Sequence, residues 1–154
     1  MRGIRMRAPY FGLRRLELVL GAVLTVVPNS LPGQARFGDE NRTFKGFTKS
    51  PTEHVMNEFE GVPELRSVRG RVMEASSGVG IPHAKFELRT ENPDDVVRGV
   101  GTDRDGHFRM GSLPEGIYVF KVTRDGFQSV FGRLRVAKRA PPRNILKVEL
   151  KHGV

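Results

Sequence analysis

Three glycines, at positions 106, 116 and 126, recur at ten-residue intervals, and each closes a turn cluster: Asp103-Arg-Asp-Gly106, Leu113-Pro-Glu-Gly116 and Arg124-Asp-Gly126. Between the turns, apolar residues alternate with polar ones, first at Phe108 and Met110, then at Tyr118, Phe120 and Val122. Turn signals at this spacing, separated by period-two runs, predict an antiparallel β-sandwich. The pattern leaves little length for a catalytic loop and points to a non-enzymatic module.

The same alternation extends this reading to seven strands. Expected strands run over 67–74, 84–90, 96–102, 107–111, 117–124, 130–136 and 145–150. Inward residues are Val68, Gly70 and Val72; Ala84, Phe86 and Leu88; Val130, Leu134 and Val136; and Leu146, Val148 and Leu150. Arg69, Arg71, Lys85, Glu87 and Arg89 are expected outward. Gly99 and Gly101 weaken the third strand. Tyr118 is expected inward, with its hydroxyl bonded to a nearby backbone group. Asp103 and Asp105 fit an Asx-type turn, with Gly106 supplying positive φ.

The chain has 154 residues, no Cys and no Trp. A disulfide framework is therefore impossible, and so is a thiolate metal site or a lipid anchor on an N-terminal Cys. The domain must rest on its apolar core.

Three segments follow from composition. Residues 1–35 read as a secretory signal. Five arginines precede or flank a 10-residue apolar run, Leu18–Val27, and Gly33-Gln-Ala35 offers small residues for cleavage after Ala35. The run is short of the roughly 20 residues that span a bilayer. An uncleaved anchor is the alternative and would be the only membrane contact. Export makes the mature chain secreted or periplasmic and argues against nucleic acid as a partner. Residues 36–66 read as a linker, mostly disordered, with a short helix near 52–60 as the other possibility. Phe37, Phe44 and Phe47 are unusual for a tether and would suit docking on the sandwich or on a partner. Residues 67–154 form the domain.

The net charge of +9 is uneven, with +4 in residues 1–35, −1 in 36–66 and +6 in 67–154. Such a domain suits an anionic partner, although interspersed charge is also the ordinary solvated face of strands.

Several blocks occur together and in order: Val68-Arg-Gly-Arg-Val-Met-Glu74, Gly80-Ile-Pro-His-Ala84, Thr102-Asp-Arg-Asp-Gly-His-Phe108, Leu113-Pro-Glu-Gly-Ile-Tyr118 and Gly126-Phe127. Residues 67–150 thereby resemble the carboxypeptidase regulatory-like domain. Glu74 stands where Asp is usual. The resemblance implies an all-β, seven-stranded Greek-key antiparallel sandwich of transthyretin-like type, related to carbohydrate-binding-like folds.

No catalytic, cofactor or metal set is expected. Asp103 and Asp105 lack the further ligands and closing Glu of a calcium loop. The four histidines, at 54, 83, 107 and 152, include no i, i+4 pair. The candidate partner surface is Phe131, Arg133, Arg135, Lys138 and Arg139. Charge on an exposed strand edge protects it, or binds an anionic glycan or protein. The leading expectation is a secreted, non-catalytic module that binds an unknown protein of the cell envelope through an edge strand or end loops. A carbohydrate-binding module, with Phe131 as its aromatic platform, is the alternative. A transthyretin-like hydrolase is the remote one, since the chain ends in Lys151-His-Gly-Val154 without that enzyme's serine-rich ending.

Overall fold

A computed structural model describes residues 44–51 and 55–153. They lie within a compact unit spanning 36–154. The signal-peptide reading of 1–35, Phe37 and His54 lie outside the described residues.

Among the described residues the chain is all β. Nine strands occur: β1 (Met56–Glu58), β2 (Glu64–Leu65), β3 (Arg69–Glu74), β4 (Lys85–Thr90), β5 (Arg98–Gly101), β6 (His107–Arg109), β7 (Gly116–Thr123), β8 (Ser129–Val136) and β9 (Leu146–Leu150). β3 to β9 occupy the seven expected positions, with β5 and β6 trimmed at their ends. The larger sheet is ordered β1-β8-β7-β4-β5, and β2 also pairs with β8. The smaller is β6-β3-β9. The β3–β6, β4–β5, β4–β7 and β7–β8 pairs are antiparallel. The β3–β9 pair is parallel, as are β1 and β2 against β8. The sandwich's first and last strands meet after several crossings between sheets, so no hairpin dictates their direction.

The two sheets bury one core, with Phe86, Phe120, Leu88, Val72, Val148 and Leu150 fully enclosed. The Phe86 ring stacks on Phe108 of the opposite sheet at 4.2 Å and on Phe120 at 5.6 Å. Offset aromatic contacts of this kind add to area burial. All the inward residues predicted from alternation are buried. The Tyr118 hydroxyl donates to the Pro114 carbonyl at 2.9 Å, as expected. Gly106 has φ +80°, and the Asp103 carboxylate accepts bonds from the amides of Asp105 and His107 at 2.9 and 2.8 Å.

The segment expected as a disordered linker departs from that reading where it is described. Residues 55–59 do not form a helix. Met56–Glu58 pair with Ser129–Phe131, and Glu64 and Leu65 pair with Arg135 and Val136. Leu65 is buried in the core. Phe59 packs edge-on against Phe120 at 5.6 Å. Room for it comes from Gly132, where a Cβ would sit 2.7 Å from the Phe59 Cβ. The exposed hydrogen-bonding edge of β8 and a hydrophobic anchor at each end outweigh the low β-propensity of a short polar segment.

Candidate functional site

The outer face of the larger sheet carries the candidate residues Phe131, Arg133 and Arg135, which alternate along β8. Alternation correctly turns Phe131 away from the core. It is nevertheless only 8% exposed, because residues 44–50 lie across that face. The Phe44 ring meets Phe131 edge-on at 5.1 Å and Phe47 at 6.3 Å. Phe131 is therefore covered, which corrects its assignment as an open aromatic platform for sugar. Phe44 and Phe47 dock on the sandwich, one of the two roles open to them in the sequence.

Beneath this strap, Glu87 and Arg89, expected in solvent, are enclosed at 4% and 2% exposure, and Lys121 of β7 joins them at 1%. Burying charge is costly unless each group is bonded. Thr48 meets that demand with its three polar groups. Its amide donates to Glu87 Oε2 and its hydroxyl to Oε1, both at 2.8 Å. Its carbonyl accepts from Lys121 Nζ at 3.0 Å. Lys85 Nζ reaches both Glu87 Oε1 at 2.9 Å and Thr48 Oγ1 at 2.5 Å. The Arg89 guanidinium lies 5.5 Å from the Phe47 ring centre and the Lys121 ammonium 5.6 Å from that of Phe44. Each cation faces an aromatic ring. Burial lowers the Arg89 pKa, opposed by the nearby Asp95 and Asp94.

The basic cluster is partly neutralised. Arg133 Nε lies 3.4 Å from Glu91 and Arg135 Nε lies 3.8 Å from Glu64, with all four side chains about half exposed. Such surface pairs contribute little, about 0–1 kcal/mol. Lys138 and Arg139 sit exposed in the turn beyond β8, where the Lys138 amide donates to Glu115 at 2.6 Å.

From the sequence, Gly99 and Gly101 read only as weak points of the third strand. In the structure they carry the open edge of the larger sheet. The Thr102 amide donates to the Ala84 carbonyl at 2.9 Å, so that pair is hydrogen-bonded. Antiparallel pairs alternate, so Lys85–Gly101 and Glu87–Gly99 in the β4–β5 register are the non-bonded pairs. The N–H and C=O groups of both glycines consequently point away from β4. Both residues are exposed, and no atom lies within 4 Å of where a Gly101 Cβ would stand. The signal was present as two glycines two apart, but their meaning depends on hydrogen-bond parity.

Asp103, Asp105 and His107 come within 4.8 Å of one another and are all exposed. The Asp103 carboxyl is held below its ordinary range, first by the His107 amide bond. That carboxylate is engaged in closing the turn.

A family model described as the carboxypeptidase regulatory-like domain matches residues 67–151. None of the curated proteins matches the chain. A solved structure of Klebsiella pneumoniae 5-hydroxyisourate hydrolase is similar at 12% identity and a TM-score of 0.45, covering 58% of this chain and 93% of that one.

Proposed function

Because this chain belongs to the carboxypeptidase regulatory-like domain family, we propose that it is an exported, non-catalytic recognition module that holds an extended segment of a cell-envelope protein along β5. The observation that carries this reading is the outward aim of the Gly99 and Gly101 peptide groups. An edge strand with unpaired donors and acceptors captures another strand by continuing the ladder. Glycines leave that edge without side chains that would hold a partner off. Export rests on the signal-like residues 1–35.

The test uses the full chain as bait for envelope extracts, beside two variants. Gly101→Pro removes one outward N–H without costing a ladder bond, whereas Gly101→Ala keeps it. A partner of β5 is retained by the wild type and by Gly101→Ala and is lost with Gly101→Pro. It also slows hydrogen exchange at the Gly99 and Gly101 amides. Equal retention by all three chains, or unchanged exchange at those amides, overturns the reading.

A further inference from the structure

The smaller sheet brings together cations that are far apart in sequence. In register, Arg69 stands opposite Arg109, and Arg71 stands between His107 and Lys147. Residues directly opposite on neighbouring strands share a face at about 5 Å. Gly70 and Phe108 of the intervening row face the core, so these five side chains occupy the outer face. Arg109, His107 and Lys147 are exposed, and Arg69 and Arg71 are half-buried. Neither row contains an acidic residue.

Like charges placed directly opposite destabilise a sheet. The internal relief here is slight. Arg69 donates to the Pro142 carbonyl at 2.5 Å, and Arg71 Nε donates to the Asp105 carbonyl at 3.0 Å. Arg109 and Lys147 make no ion pair among the described residues. Arg109 also rims a cleft of about 370 Å³ with Arg66, which extends the positive surface beyond the sheet. Acidic groups stand at the ends of the rows: Glu149 opposite Met73 in the next row, Asp103 with its carboxylate 3.7 Å from His107 Nδ1, and Asp105 beside it.

We infer that the outer face of β6-β3-β9 binds an acidic polysaccharide, whose repeated carboxylates pair with Arg109, Arg69, Arg71 and Lys147. The marginal acids favour a narrow polymer over a lipid surface, since a continuous anionic plane would press on Glu149, Asp103 and Asp105. The rows themselves hold no aromatic ring, so recognition is by charge rather than by stacking on a sugar face. The site lies on the opposite sheet from β5 and is independent of the proposed protein partner.

The experiment is affinity electrophoresis of the full-length chain through gels containing polygalacturonate or neutral dextran. Polygalacturonate retards the wild type, salt weakens the retardation, and dextran has no effect. Arg69→Gln/Arg109→Gln weakens binding roughly tenfold, as expected when two solvent-exposed ion pairs are lost. Arg133→Gln/Arg135→Gln, with the same loss of net charge on the other sheet, leaves it nearly unchanged. Lys147→Gln, an exposed change on β9, gives a second reading that does not depend on the double variant folding. The melting temperature of Arg109→Gln equals or exceeds that of the wild type, whereas a structural role lowers it. The inference falls if dextran retards equally, if both double variants lose binding alike, or if phosphatidylglycerol vesicles show the Arg69/Arg109 dependence and polygalacturonate does not.

Discussion

The Glu87 carboxylate on β4 holds Thr48 by two hydrogen bonds of 2.8 Å, one from its amide and one from its hydroxyl. These residues are 39 apart in sequence. The contact fastens a polar strap over a sheet face that would otherwise expose Phe131, and bonds the charges it encloses.

Glu87→Ala removes both acceptors that hold Thr48 and the carboxylate that pairs with Lys85. Hydrogen bonds to charged groups contribute about 1.5–3 kcal/mol each. We expect a loss of about 2–3 kcal/mol in urea unfolding. Trypsin should also cut faster at Lys45 and Lys49 under native conditions, since the strap is then released.

Phe47→Ala tests the apolar side of the same contact. Phe47 is 6% exposed and packs beneath Arg89 and beside Phe44. Truncating a buried Phe costs about 3 kcal/mol or more, and this site at the sheet surface should fall at the low end. Near-ultraviolet circular dichroism should change while the far-ultraviolet strand signal is retained. Loss of the strand signal would show that the sandwich depends on its strap.

Gly80→Ala should be among the most damaging single changes. An added Cβ would lie 1.9 Å from the Asp105 carbonyl oxygen, which is backbone and yields little. We expect a loss of at least about 1–3 kcal/mol, the cost of overpacking. Gly101→Ala, with open space at its Cβ, should change the denaturation midpoint very little.

Acid should act through Glu74. Hydrogen bonds from the Ser76 and Ser77 hydroxyls, both 2.6 Å, hold its carboxyl down from 4.5 to about 2, with His152 Nε2 2.9 Å away. A depressed carboxyl pKa contributes stability that is complete above about 4.5 and disappears as pH falls through about 2. The melting temperature of the wild type should therefore drop more steeply across that window than that of Ser76→Ala/Ser77→Ala. Above it, the difference between the two proteins should be constant. Parallel curves throughout would show that the serines do not set the Glu74 pKa.

The basic residues show how differently faces read from sequence. Outward placement of Arg69, Arg71, Arg133 and Arg135 follows from alternation alone, because side chains reverse every residue along a strand. Which of them become neighbours does not follow. Arg69 meets Arg109 through the β3–β6 register, while Arg135 meets Glu64 across the β2–β8 pair. Phe131 makes the same point, being outward by period and enclosed by Phe44.

Local spacing determined the seven strands of the domain, the inward set from Val68 to Leu150, the Gly106 turn and the family. Each depends on the two-residue period or on turn chemistry within a few positions. Tertiary structure alone decided the parallel β3–β9 pair, the added strands β1 and β2, the cover over Glu87 and Lys121, the open side of Gly99 and Gly101, and the cationic rows. These depend on register and on contacts between residues tens of positions apart. A strand's own residues state which faces it has, but not what lies against them.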